Sequence, residues 1–167
     1  MAKITLKGNP VNTLGDLPTV GSTAQEFTLT RQDLKEAKLG DYGGKLKVLN
    51  IFPSVDTATC ALSVRQFVQK AASLPDTVVL NISADLPFAQ KRFCAAEGIA
   101  NAETLSSFRS RFAKDWKLEM TDGPLAGLCS RAVVVLDEQN KVLYTEQVGD
   151  IVNEPNYEKA LQSLNRK

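Results

Sequence analysis

Cys60, Cys94 and Cys129 are the side chains of this 167-residue chain best suited to nucleophilic or redox chemistry, and no histidine accompanies them. Without imidazole there can be no Ser-His or Cys-His nucleophile pair, no H-E-x-x-H zinc protease and no His-ligated metal. The cysteines are odd in number, widely spaced and free of any C-x-x-C, which argues against a secreted disulfide framework. Cys60 ends the segment Pro53-Ser-Val-Asp-Thr-Ala-Thr-Cys60, which leads from an apolar strand pattern into a helical one. With Asp56 or Thr57 as the N-cap, Cys60 falls in the first helical turn, where unpaired N–H groups and the helix dipole favour an anion. A thiol in such a position can have its pKa lowered from about 8.5 to roughly 3.5–7.5, and the thiolate is the reactive form. Taken without its neighbours, Cys60 also reads as a small buried hydrophobe four residues before Val64.

The elements that position these thiols follow from periodicity. Val48 to Phe52 is a buried-type strand stopped by Pro53. Val64, Phe67, Val68 and Ala71 mark one apolar face of a helix. Val78–Ile82 is a second strand, followed by a helix that starts near Asp85-Leu-Pro87 and stops at Gly98, placing Cys94 inside it. Ala132–Leu136 and Val142–Tyr144 flank a turn as a hairpin, and Tyr157, Ala160, Leu161 and Leu164 predict a terminal amphipathic helix. Ahead of all of these, Ile4–Lys7 and Val11–Leu14 predict an N-terminal hairpin around Gly8-Asn9. The order is α/β, and a right-handed crossover makes the two central strands parallel. It matches a thioredoxin-like fold with an N-terminal β-hairpin extension.

No repeat or linker divides residues 1–167, so one domain is expected, large enough to bury a core without staples. A formal charge of +1 gives no global field for nucleic acid or an anionic membrane. No apolar run is long enough for a signal peptide or a membrane span. A soluble, cytoplasmic protein is the expectation.

Pro53, Thr57 and Cys60 reproduce the P-x-x-x-T-x-x-C motif of peroxiredoxins. Ser83-Ala-Asp-Leu-Pro-Phe-Ala-Gln-Lys-Arg-Phe-Cys94 resembles the signature of their thiol peroxidase branch, which are atypical two-cysteine peroxiredoxins. The likeness extends over Lys47–Pro53 and from Gly123-Pro-Leu-Ala-Gly-Leu to Arg131-Ala-Val-Val-Val. The resemblance implies that Cys60 is the peroxidatic cysteine, attacking the O–O bond of hydrogen peroxide or an alkyl hydroperoxide to become a sulfenic acid. It implies that Thr57 places its hydroxyl between that sulfur and the peroxide, that Pro53 shields the pocket and that Arg131 stabilises the thiolate and the polarised oxygens. Cys94 would resolve the sulfenic acid as an intrachain disulfide, recycled by thioredoxin, in a homodimer that uses neither cofactor nor metal.

Each residue also has a purely structural reading: Thr57 as an N-cap, Pro53 as a strand stop, Arg131 as a solvated strand-end charge, Cys94 as a packing thiol beside Phe93. Cys129 matches no role in the branch and reads as a passive, semi-buried residue. Two other functions compete. A thioredoxin-like disulfide oxidoreductase lacks its C-x-x-C here and has Arg131 in place of the usual proline. A non-enzymatic peroxide sensor differs from an enzyme only in rate and turnover.

Overall fold

The computed structural model describes residues 2–99 and 102–165. Its centre is the strand β5 (Leu46–Ile51), which runs parallel to β6 (Thr77–Ser83) and antiparallel to β8 (Ala132–Leu136). Both faces of these strands are covered, so they read as almost continuous apolar runs and not as alternating ones. Around them a seven-stranded sheet is completed by β3 (Thr28–Arg31), β4 (Glu36–Lys38), β7 (Glu103–Ser106) and β9 (Val142–Gln147), in the order β4-β3-β7-β6-β5-β8-β9. One face carries α1 (Ala58–Ala71), α2 (Pro87–Ala96) and α4 (Tyr157–Gln162). There Val48, Val133 and Val135 pack on Phe67, Ala71 and Ala160. Phe67 and Tyr157 meet edge to face at 4.9 Å, a contact worth about 0.5–1.5 kcal/mol beyond its buried area, which pins α4 to α1. The other face buries Leu49, Ile51, Leu80 and Ile82 against Phe27, Leu39, Phe112 and Trp116, the last two from or beside the short α3 (Phe112–Asp115).

The two parallel strands, the two helices after them, the β8–β9 hairpin and the terminal helix all stand where periodicity puts them. Three strands were not foreseen: β3, β4 and β7 are only three or four residues long and mix polar with apolar side chains. The N-terminal hairpin, β1 (Lys3–Leu6) with β2 (Asn9–Asn12), forms a sheet of its own, but its turn is Lys7-Gly8 and not Gly8-Asn9. Leu6 pairs with Asn9, and both Lys7 (φ 51°) and Gly8 (φ 84°) take the left-handed conformation that a tight two-residue hairpin turn requires. Met1 lies outside the described residues. No described helix is long and apolar enough to cross a membrane.

This hairpin is fastened to the loop after β9. Thr5 N donates to the Gly149 carbonyl at 2.8 Å and Ile151 N to the Thr5 carbonyl at 2.9 Å. Ile4 and Val11 share an apolar cluster with Ile151 and Met120. The Asp150 carboxylate accepts from the Thr5 hydroxyl at 2.6 Å and from the backbone N–H groups of Val152, Gly8 and Lys7, and these bonds lower its pKa to about 2. Because the folded value lies below the ordinary carboxylate value of about 3.9, the fastening is fully present above that pH and is lost as pH falls through about 2. Asp150→Asn is expected to lower the melting temperature at neutral pH, and the gap from the unchanged protein should close as both are titrated towards pH 2. Thermal melts across that range, followed by circular dichroism, check this.

Candidate active site

The chain leaves the sheet where β5 gives out. Phe52 N makes a last bond to the Ile82 carbonyl at 3.1 Å, and Pro53, buried and without an N–H, cannot continue the ladder. Four residues later Thr57 caps α1 from an extended conformation, its Oγ1 accepting from Cys60 N at 3.3 Å. Its hydroxyl donates to the Ser54 carbonyl at 3.2 Å. Thr57 is thus the cap, and Cys60 is the third residue of α1, inside the first turn where the helix is electropositive. The Cys60 side chain is fully buried among Phe52, Val55, Val64 and Phe93.

Arg131 precedes β8, whose Ala132 pairs with Ile51 of β5, and this register brings the arginine to the end of β5 where Pro53 and Cys60 lie. Arg131 is only 2% exposed, so it is not a solvated strand-end charge. Its Nε donates to the Ile151 carbonyl at 2.7 Å, and its Nη2 lies 3.1 Å from Cys60 Sγ. Its Nη1 is buried without a hydrogen-bond partner among the described residues. A guanidinium taken out of water is costly unless its charge and N–H groups are answered, and here its charge is directed at the sulfur. The residue is held by the loop that the hairpin fastens: Ile151 supplies the carbonyl, and the next residue, Val152, accepts from Thr59 of α1 at 2.9 Å.

A second support comes from below. Asn50 and Asn81 face each other in register on β5 and β6, joined at 3.0 Å. Asn50 also donates to the Ser63 hydroxyl at 3.2 Å, and Ser63 donates to the carbonyl of Cys60 at 2.9 Å. The first turn of α1 is therefore tied to the middle of the sheet by fully buried polar groups.

Cys94, on α2, packs in the same apolar cluster as Cys60. Its thiol pKa is raised by burial, with partial relief from Gln32, whose amide lies 3.6 Å from Sγ and donates to Thr104 Oγ1 at 2.6 Å. Beside it opens a cavity of about 390 Å³ bounded by Gln32, Lys91, Gly98 and Ile99. All three cysteines are free thiols. Cys129 is fully buried, not semi-buried, on the opposite face of the sheet, where burial pushes its pKa up to about 12. The structure thus brings together Pro53, Thr57, Cys60 and Arg131, sets Cys94 in the adjoining helix and leaves Cys129 apart.

Gln32, Ser54, Thr59, Asp85 and Ile151 also support the site and were not singled out from the sequence. Asp85 belongs to a segment read as a helix start, but nothing local signals that its carboxylate reaches Ser54 and Val55.

A model of the Redoxin family matches residues 19–161. Thiol peroxidases of Mycobacterium bovis and Mycobacterium tuberculosis are each 54% identical over 164 residues, spanning 98% of this chain and 99% of theirs. Among solved structures, a peroxiredoxin-like protein from Aquifex aeolicus superposes with a TM-score of 0.92 at 35% identity, covering 98% of this chain and 95% of that one. A thiol peroxidase from Chromobacterium violaceum has the same fold, with a TM-score of 0.90 at 24% identity and the same coverage.

The contact between Arg131 and Cys60 makes a measurable demand on reactivity. A hydrogen bond to an ionised group is worth about 1.5–3 kcal/mol, so Arg131→Ala should slow alkylation of Cys60 by iodoacetamide at neutral pH by about tenfold or more. Arg131→Lys should recover part of the rate, since it restores the charge without the planar fork. Mass-spectrometric rates for the Cys60 peptide decide it, and an unchanged rate in the alanine variant would remove Arg131 from this role.

Proposed function

The chain belongs to the Redoxin family, within its thiol peroxidase branch, and on that premise we propose that it reduces hydroperoxides with Cys60 as the attacking sulfur and Cys94 as the resolving one. The observation that carries the assignment is the 3.1 Å approach of the Arg131 guanidinium to a sulfur in the first turn of α1. Helix terminus and guanidinium both turn positive charge towards the sulfur. The unpartnered Nη1 of Arg131 supplies a buried donor for a peroxide oxygen.

In the first step the Cys60 thiolate attacks one peroxide oxygen. An S–O bond forms, the O–O bond breaks, sulfur loses two electrons and the second oxygen leaves as alkoxide or hydroxide and takes up a proton. Arg131 stabilises the charge that develops on that oxygen, Thr57 orients the attacked oxygen by accepting from its O–H, and Pro53 keeps water from the sulfur. Thr57 Oγ1 already accepts from Cys60 N and donates to the Ser54 carbonyl, so its part is to contribute its remaining lone pair and to hold the first turn.

In the second step Cys94 attacks the sulfenic sulfur, hydroxide leaves as water and an intrachain disulfide remains. Cys94 follows Pro87 by seven residues, roughly 10 Å along α2, whereas a disulfide needs Cα atoms about 4.4–6.8 Å apart. Local opening of α2, of the first turn of α1 or of both therefore accompanies this step. Opening also hydrates Cys94 and relieves the burial that holds it protonated, so the resolving thiol gains nucleophilicity as it gains reach. A thioredoxin dithiol then supplies two electrons and regenerates both thiols.

The three free cysteines fit a reducing, cytoplasmic location. Residues 1–167 act as one catalytic unit, and the reaction needs only thiols. A homodimer is supported by apolar exposure beside the site: Leu86, Phe88 and Phe108 are exposed, and Ser106 links their segments by donating to the Asp85 carbonyl and accepting from Phe108 N.

A coupled assay with thioredoxin, its reductase and NADPH tests the reading. Cys60→Ser should abolish peroxide-dependent NADPH oxidation, because a serine hydroxyl is a far weaker nucleophile than a cysteine sulfur and forms no sulfenic acid. Cys94→Ser should retain the oxidation of Cys60 but lose turnover with thioredoxin. Near-normal turnover in the Cys60 variant would overturn the assignment. Amide exchange should be faster in the 57–60 and 87–96 segments of the disulfide form than in the reduced form, and identical exchange in both forms would exclude the local opening.

A further inference from the structure

The segments that carry the two thiols meet at one side chain. Asp85, half-buried in the turn between β6 and α2, accepts at Oδ1 from the Ser54 hydroxyl at 2.7 Å. At Oδ2 it accepts from Val55 N at 2.8 Å and from the Ser83 hydroxyl at 2.6 Å. Ser54 and Val55 lie in the loop that leads into α1 and Cys60, and Ser54 Oγ also accepts from Asp56 N at 3.1 Å, so three consecutive residues of the loop rest on this carboxylate. On the other side Ser83 accepts from the buried Gln90 amide at 3.2 Å, and the same amide donates to the Leu105 carbonyl at 3.0 Å. Gln90 lies four residues before Cys94, one turn earlier on the same face of α2. A single carboxylate thus joins the approach to Cys60 with the anchor of the helix that bears Cys94.

We propose that Asp85 is a positioning residue that latches the two cysteine segments together, so that they open as one event and Asp85 sets how often the resolving thiol is released. The proposal rests on the roles given above to Cys60 and Cys94. Charge-assisted bonds of 2.6–2.8 Å are the strong kind, and a carboxylate with three of them holds both segments more firmly than their apolar contacts alone would. The latch has a chemical consequence. A sulfenic acid that waits behind a closed latch can meet a second peroxide, which transfers one oxygen to give the sulfinic acid while the peroxide is reduced to alcohol or water. Firm latching therefore raises the share of over-oxidised Cys60, and loose latching raises the share that reaches the disulfide.

The test compares Asp85→Ala, Asp85→Asn and Ser54→Ala with the unchanged chain, by amide exchange of the reduced proteins and by the yield of sulfinic acid per turnover at graded hydrogen peroxide. In Asp85→Ala, exchange should quicken about tenfold in both 54–60 and 87–96 and stay unchanged in β8, with sulfinic acid falling by a similar factor. Asp85→Asn, which keeps one acceptor oxygen, should lie between that variant and the unchanged chain. Ser54→Ala removes bonds on the Cys60 side only, those of its hydroxyl to Asp85 and from Asp56 N, and it carries the test if Asp85→Ala does not fold. It should still quicken both segments together. Quickening of one segment alone, or of neither, would overturn the latch, as would an unchanged sulfinic yield. Exchange reads the latch without peroxide, so absence of peroxidase activity in the unchanged chain would refute the functional reading and leave the latch tested on its own.

Discussion

A positive charge buried beside a sulfur is the constraint around which the rest of this molecule is arranged. Arg131 has lost its water, and several kcal/mol of desolvation must be offset by what surrounds it. The Ile151 carbonyl answers one N–H, and the Cys60 sulfur faces another, most favourably when it is an anion. The guanidinium and the sulfur therefore hold each other in place, and displacing either leaves the other uncompensated. Two unrelated parts of the chain have to deliver them to within 3.1 Å, the first turn of α1 and the residue before β8. The antiparallel register of β5 with β8 is what makes this possible, since Ile51 opposite Ala132 fixes the distance between the two strand ends.

The peripheral elements take on meaning from that contact. An N-terminal hairpin in a separate two-stranded sheet contributes nothing to the central core, yet it fastens residues 149–152, and those residues receive Arg131 and Thr59. The buried asparagines of β5 and β6 interrupt two otherwise apolar strands, which is a cost in a core of this kind. They offset part of it through the bond between them, through the bond from Asn81 to the Glu103 carbonyl and by gripping Ser63, through which the carbonyl of Cys60 is held. Polar groups in the middle of a sheet here act as a fixed point for the first turn of a helix.

What could be read from the sequence is what the chain settles locally. Pro53 ends a strand, Thr57 caps a helix and Cys60 falls in its first turn because these are properties of a few adjacent residues, and the structure has all three. Arg131 was identifiable only through resemblance; by local chemistry it read as a surface charge, because nothing near it in sequence reveals that Ile151 and Cys60 close over it. Gln32 and Asp85 escaped for the same reason, since their partners lie 62 and 31 residues away. The short strands β3, β4 and β7 are too brief for a period of two to show, and their place comes from pairing along the sheet edge. The shifted hairpin turn has another cause. Gly-Asn satisfies the positive φ requirement on paper, but the register with Leu6 opposite Asn9 puts glycine second and leaves Lys7 to bear the strain.

The two thiols ask opposite things of one small region. In the proposed cycle the attacking sulfur needs a dry, closed and electropositive pocket, whereas the resolving sulfur must travel. In that cycle the fold meets both by placing Cys60 on the longer helix and Cys94 on a shorter one held in part by hydrogen bonds. Helix α1 has fourteen residues, with Val64, Phe67 and Ala71 seated on the central strands. Helix α2 has ten, and only Pro87, Gln90, Phe93 and Cys94 are buried, one of them a glutamine held by hydrogen bonds. A helix that short is marginal without tertiary support, and few apolar contacts anchor this one. The proposed opening would therefore draw on a small part of the total stability, as expected of a segment at the low end of the local unfolding scale. Packing Phe88 inward would strengthen α2, but in the proposed cycle the same change would raise the cost of each release of Cys94, so the exposed face of this helix suits the part proposed for its cysteine.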